Sequence, residues 1–122
     1  MSAPACPFCD LGDRVVARND SAVAVRDREP ASPGHTLVIP KRHCGSIFEL
    51  TAEEAAACFD LLRREREAVQ REHCPDGFNV GVNDGVVAGQ TIAHTHIHLI
   101  PRYEGDHPHP RGGVRHVIPT RR

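Results

Sequence analysis

His94, His96 and His98 occupy alternate positions in the run His94-Thr95-His96-Ile97-His98-Leu99-Ile100, which Pro101 and Arg102 follow directly. In an extended strand alternate side chains share a face, so the three imidazoles project from one side about 6.5–7 Å apart, with Thr95, Ile97 and Leu99 on the other. A lone half-buried histidine is usually a satisfied structural residue. Three on one face would repel if charged and would be costly if buried without partners, so their clustering points to chemistry. Neutral imidazole serves as nucleophile, acid, base or metal ligand, and the triad alone leaves two classes open. One is a hydrolase or transferase; the other is a metalloenzyme with His94, His96 and His98 as ligands. Metal sites built on His-x-His pair it with a nearby carboxylate, and here the next acid is Glu104, beyond that spacing.

The flanks favour the first class. Asn83-Asp84-Gly85-Val86-Val87-Ala88-Gly89-Gln90-Thr91 is a glycine-punctuated turn with an amide at each end and a hydroxyl. Such a loop surrounds an anionic oxygen cluster with backbone N–H groups and neutral donors, as a phosphoryl group requires. A second inorganic clue is Cys6-Pro7-Phe8-Cys9, two thiols at the spacing of a structural zinc half-site, which tetrahedral closure completes with two further N or S ligands. A thioredoxin-like redox pair would need a βαβ context that is lacking, and two plain buried thiols are the remaining alternative. Cys44, Cys58 and Cys74 read as structural. His107 and His109, in a proline-rich stretch, read as surface residues.

The elements that must position these groups are modest. A chain of 122 residues reads as one domain, 1–122, with room for a real core. Net charge is −1, with 15 basic and 16 acidic residues, which argues against a nucleic-acid surface or a polybasic membrane patch. No apolar run approaches a bilayer span and the N-terminus does not resemble a signal peptide, so the expected compartment is the cytoplasm. The five cysteines fit reduced thiols or a metal site better than a disulfide framework. Arg14 to Arg18 and Ser21 to Asp27, separated by Asn19-Asp20, read as a hairpin, and His35 to Ile39 as a strand closed by Pro40. Thr51-x-x-Glu54 is a capping box opening a helix to about His73, with Ala55, Cys58, Phe59, Leu62 and Val69 as its apolar stripe. Phe78 to Val82 and Thr91 to Ile100 are the next strands. Tyr103 to Gly113 reads as loop, and Val114 to Ile118 as a last strand or an extended arm. The sum is an α+β domain with a mainly antiparallel sheet.

Gly89-Gln90-Thr91-Ile92-Ala93-His94-Thr95-His96-Ile97-His98-Leu99-Ile100-Pro101-Arg102 resembles the signature of the histidine triad (HIT) superfamily of nucleotide hydrolases and transferases. Gly34-His35-Thr36-Leu37-Val38-Ile39-Pro40-Lys41-Arg42-His43 resembles a second block of that family. With Cys6-Pro7-Phe8-Cys9 and Asp27 the likeness runs from about residue 6 to 102 and leaves 103–122 as a C-terminal loop and arm. It implies a HIT-like fold of about five strands and one long helix, and a homodimer. It further implies that His96 attacks the α-phosphorus of a nucleotide derivative, such as a diadenosine polyphosphate or a nucleoside phosphoramidate, to form a covalent nucleotidyl-histidine that water hydrolyses. By the same resemblance His98 contacts the phosphate and His35 supports the triad from behind. Asn83, Gln90 and Thr91 would bind the phosphate and leaving group, Asp27 the ribose, and Phe8 and Leu11 would wall the base pocket. A structural zinc would take Cys6, Cys9, His43 and His94. The C-terminal segment would reach toward a partner subunit's site, making Arg111 and Arg115 candidate phosphate contacts. Thr95 and Arg28 depart from the family pattern, each standing where an apolar residue is usual. The third histidine separates the chain from the uridylyltransferase branch, which carries Gln there. A nucleotide-binding regulator with little turnover is a further alternative.

Overall fold

The computed structural model describes residues 6–119. Strands β1 (Val15–Arg18), β2 (Ala22–Arg26), β3 (Thr36–Pro40), β4 (Gly77–Gly81) and β5 (Ile97–Arg102) form one antiparallel sheet in the order β1-β2-β3-β5-β4. Among the described residues one α-helix, α1 (Ala52–His73), covers one face. Among the described residues no helix is long and apolar enough to cross a membrane.

The hairpin expected at Asn19-Asp20 is present. Asn19 Oδ1 accepts from the backbone N–H of Ser21 (3.1 Å) and Ala22 (2.9 Å), while its Nδ2 donates to the Ala57 carbonyl on α1 (2.9 Å). One turn residue therefore fixes both the hairpin and its distance from the helix. Alternation then splits the apolar residues between two faces. Ala22, Ala24, Val38, Ile97 and Leu99 pack with Cys58, Leu61 and Leu62 of α1. Val23, Val25, Leu37 and Ile39 face the other way and are covered by Phe8 and Leu11 of the N-terminal segment.

The helix begins with the expected capping box: Thr51 Oγ1 accepts from Glu54 N (3.1 Å) and Glu54 Oε1 accepts from Thr51 N (2.8 Å). Of the expected stripe, Cys58, Leu62 and Val69 are buried while Ala55 and Phe59 are exposed, and Glu54, Leu61 and Glu65 complete the buried face. Two glutamates can lie on the inner face because arginines outside the helix meet them: Arg26 Nη1 reaches Glu65 at 2.7 Å, and the Arg42 fork grips Glu54 at 2.8 and 2.9 Å. A pattern that counts only apolar side chains misses the two buried glutamates.

Two further expectations change. The histidine segment is not one strand from Thr91 to Ile100; pairing begins at Ile97, and residues 91–96 run irregularly. β3 faces β5 only at Thr36↔Leu99, Leu37↔His98 and Val38↔Ile97. Beyond this point the Thr95 N–H is taken by the Cys44 carbonyl (2.7 Å) instead of a strand. The segment read as a last strand or arm is a 3₁₀ turn, Gly113–Val117, entered through Gly112 at φ 87° and Gly113 at φ 34°. Such backbone angles end extended chain.

The turn into β3 carries the tightest steric demand. Gly34 has φ +90°, and a Cβ there would lie 2.9 Å from both Val69 Cγ1 and His73 Cδ2 and 3.3 Å from Pro101 Cγ. Gly34→Ala is expected to cost roughly 2–4 kcal/mol, from the positive φ and the overpacking together. Urea unfolding checks this, and an unchanged midpoint would contradict it.

Candidate active site and metal centre

β3 and β5 bring the chemistry together because Leu37 and His98 are register partners, so His35, two residues before Leu37, lies on the His98 face. His96 and His98 remain neighbours, with ring centroids 5.0 Å apart. His94 turns instead toward the N-terminal segment, where Cys6 Sγ is 3.4 Å and Cys9 Sγ 3.6 Å from its Nδ1. Among the described residues His94 and His98 fall in separate groups of potential ligands, so the three rings do not converge on one ion.

The hydrogen bonds fix the tautomers. His94 Nε2 is 2.7 Å from the Pro40 carbonyl, which only accepts, so Nε2 carries the proton and Nδ1 presents its lone pair to the thiols. His96 Nδ1 donates to the His94 carbonyl at 3.0 Å, leaving Nε2 unprotonated. His35 Nδ1 accepts from Ala31 N (2.9 Å), so its Nε2 donates, and the nearest acceptor is His98 Nδ1 at 3.0 Å, with Asp27 Oδ2 at 3.5 Å. His98 is thereby left with an Nε2–H that is buried and has no partner. An orphaned buried donor is costly unless a ligand accepts from it.

His96 and His98 open into a cleft of about 360 Å³ lined also by Pro7, Phe8, Arg14, Asp27, Thr91 and Ile92. Phe8 meets the His96 ring edge-on at 4.9 Å. Asp27, Phe8 and Thr91 thus line the same cleft as His96 and His98. Gln90 does not line the cleft: its Oε1 accepts from Gly85 N (2.8 Å), and its Nε2 donates to the carbonyls of Gly45 (2.8 Å) and Ile92 (3.0 Å). Its amide shapes the glycine loop. Asn83 lies on the far side of His98, and Leu11 sits in the core beneath Phe8. Arg14 and the Pro40 carbonyl were not singled out from the sequence. Arg14 ends a 3₁₀ turn just before β1 and carries no local signal, and a backbone acceptor carries none at all.

The thiol site passes a geometric test for zinc. Bonds of about 2.3 Å to sulfur and 2.0–2.1 Å to nitrogen give tetrahedral ligand edges of about 3.6 Å. The sulfur–nitrogen separations are 3.4 and 3.6 Å to His94 and 3.2 Å from Cys9 to His43, and the four ligand atoms all lie within 4.8 Å. The Pro40 carbonyl behind His94 supplies the outer hydrogen bond that orients a metal-bound imidazole. The Cys9 thiol is held above its ordinary value, first by its hydrogen bond with Cys6, then by burial and the charge of Cys6. A metal cation would replace that proton.

This α+β fold has counterparts among known proteins. The sequence profile of the HIT domain family matches residues 10–105, and the chain belongs to that family. It is 35% identical to the bis(5'-nucleosyl)-tetraphosphatase [asymmetrical] of Schizosaccharomyces pombe over 79% of this chain, and it spans only 53% of that protein's length. Among solved structures, a HIT family protein from Bacillus anthracis is 40% identical with a TM-score of 0.78, covering 85% of this chain and 77% of that one. A zinc-bound histidine triad family protein from Mycobacterium smegmatis is 32% identical with a TM-score of 0.74, covering 83% of this chain and 77% of that one.

The buried imidazoles set a pH dependence of stability. Burial pushes His98 down to about 4, helped by nearby His96 and His35 and opposed by Asp27; burial also lowers His35. Between an unfolded value of about 6.5 and these lower folded values, the unfolded chain binds protons that the folded chain does not. Stability present above about pH 6.5 is therefore lost as pH falls toward 4. Metal-free His98→Gln protein should lose less stability than the metal-free wild type between pH 7 and 4.5 in thermal melts; parallel losses would contradict the assignment.

Proposed function

We propose that the chain is a nucleotide hydrolase or nucleotidyl transferase acting on the α-phosphate of a nucleotide derivative through a covalent nucleotidyl-histidine on His96. The observation that carries this reading is the pair of tautomers. His96 Nε2 has a free lone pair and His98 Nε2 an unpartnered buried N–H, side by side in one cleft. The first suits attack on phosphorus and the second suits a phosphoryl oxygen.

The His96 Nε2 lone pair forms the N–P bond while the bond to the leaving group breaks, its electrons departing with that group, which takes a proton from water. His96 keeps its Nδ1–H on the His94 carbonyl, so that backbone carbonyl shares the charge that develops on the ring. Water then attacks phosphorus, the N–P pair returns to Nε2, and the water proton balances the one taken up before. Asp27 holds the ribose hydroxyls, Phe8 and Thr91 line the nucleotide half of the cleft, and His35 holds His98 in its donor tautomer. The tetraphosphatase relative supports a nucleotide substrate.

Zinc, when bound, is structural in this reading. Cys6, Cys9, His43 and His94 would hold it, and it would supply a staple between the N-terminal segment and the ends of β3 and β5. The zinc-bound Mycobacterium smegmatis relative supports this assignment. We further propose a homodimer, which an open sheet edge favours, β1 and β4 being edge strands among the described residues; sedimentation as a monomer would count against it.

On mixing with an adenosine phosphoramidate or a diadenosine polyphosphate, intact-protein mass spectrometry should show a transient gain of one adenylyl group. His96→Ala should lose the adduct and lower turnover by at least about a thousandfold. Turnover unchanged in that variant would refute the mechanism. Cys9→Ser should lower bound zinc and the melting temperature more than turnover per folded molecule; the reverse order would argue for a metal acting in the reaction.

A further inference from the structure

The turn Cys6-Pro7-Phe8-Cys9 brings its own two ends together. Pro7 follows Cys6, and the Cys9 N–H donates to the Cys6 carbonyl at 3.1 Å. Proline at the second position of a turn presets its backbone, and a closed four-residue turn holds its end Cα atoms within about 7 Å, the reach of a disulfide. The sulfurs of Cys6 and Cys9 lie within 4.8 Å of each other and of the ligand nitrogens of His43 and His94. This cluster is open to solvent on one side: Cys9 and His43 are exposed, Cys6 is half-buried and His94 is buried.

Cys9 lines a surface cavity of about 380 Å³ together with Asp10, Arg18 and Lys41. Phe8 is the one lining residue that this cavity shares with the His96 cleft, so its ring is the partition between them. A small oxidant therefore reaches the Cys9 sulfur without entering the cleft, and whatever frees the turn loosens a cleft wall. The turn leads into Leu11, which with Phe8 covers Val23, Val25, Leu37 and Ile39. Besides those apolar contacts, the side-chain tie of the turn to the body of the domain runs, among the described residues, from Cys6 and Cys9 to His94 and His43. Cys44 and Cys58 are buried away from such an oxidant, and Cys74 stands exposed at the C-terminal end of α1.

We infer that Cys6 and Cys9 are a redox modification site: a hydroperoxide converts the pair to a disulfide, which releases zinc and unties the wall between the two spaces. The inference rests on the zinc assignment above. Cysteines that hold zinc are thiolates, the form that attacks a peroxide. Exposed Cys9 reacts first. Its sulfur bonds to one peroxide oxygen as the O–O bond breaks, and the other oxygen leaves as hydroxide and takes up a proton from solvent. Cys6 sulfur then attacks Cys9 sulfur; the S–S bond forms, the S–O bond breaks, and a second hydroxide leaves and is protonated. Two thiolates have lost two electrons and the hydroperoxide has been reduced. His43 and His94 remain as two nitrogen ligands, too few to complete a tetrahedral site. The oxidised turn stays closed on itself but loses its tie to the sheet, and Phe8, edge-on to His96 at 4.9 Å, is left with apolar contact alone.

The test treats the zinc-loaded intact chain, as wild type and as Cys74→Ser, with a small excess of hydrogen peroxide beside a chromogenic zinc indicator. Zinc release should rise in step with a mass loss of about 2 Da that maps to the peptide holding Cys6 and Cys9, and dithiothreitol with added zinc should reverse both. Amide exchange over residues 10–14 should quicken by at least about tenfold in the oxidised protein. Cys6→Ser should stop at a sulfenic acid on Cys9 that dimedone traps, whereas Cys9→Ser should give no such adduct on Cys6. Reduced wild type that holds no zinc would overturn the zinc assignment and this inference together. Zinc retained under peroxide, or released without the disulfide, would overturn the inference and leave the assignment standing. Exchange unchanged by oxidation would overturn it too, because the wall would then not depend on the pair.

Discussion

The carbonyl of Pro40 decides the arrangement of the site. Standing at the end of β3, it takes the Nε2–H of His94 at 2.7 Å across 54 residues of sequence, in a place where the ring is fully buried. A buried imidazole that spends its one proton there must present its other nitrogen as a lone pair, and that nitrogen faces Cys6 and Cys9. The backbone of the same residue then receives the Nδ1–H of His96. One histidine thus couples a thiol cluster through its side chain and a candidate nucleophile through its main chain. The lowered affinity of His94 for a second proton, which burial causes and the neighbouring His43 and His96 reinforce, against the Pro40 bond, keeps it neutral.

The sheet serves this coupling by having two unlike faces. The α1 side is a conventional core in which even carboxylates are admitted when arginines meet them. Arg26 ties β2 to Thr36, Glu65 and Glu72 at once. The other side is covered by a short N-terminal segment that would have little reason to stay there on the burial of Phe8 and Leu11 alone. The cysteines flanking Phe8 reach His94 and His43, and Phe8 in turn packs on both His94 and His96, so the covering segment and the cleft wall are one piece of chain. Thr95 shows the cost of a polar atom in this region: its hydroxyl is buried without a partner at the position where the family pattern calls for an apolar residue.

What the sequence by itself determined is the local grammar: the hairpin at Asn19, the capping box at Thr51, the strand before Pro40, and the companionship of His94, His96 and His98 with a Cys-x-x-Cys. These are legible because turns, caps and ligand spacing depend on neighbours within a few residues. The sequence also named Asp27, Phe8 and Thr91 through the family likeness, and the cleft contains them. Tertiary structure alone decided where the histidine strand begins, which glutamates the helix buries, which way each imidazole carries its proton, and that Gln90 spends its amide inside its own loop. Each of those outcomes hangs on a partner far away in the chain, often a backbone carbonyl, and a carbonyl has the same chemistry at every residue. No spacing rule reads it, because only folding determines which one a given side chain meets.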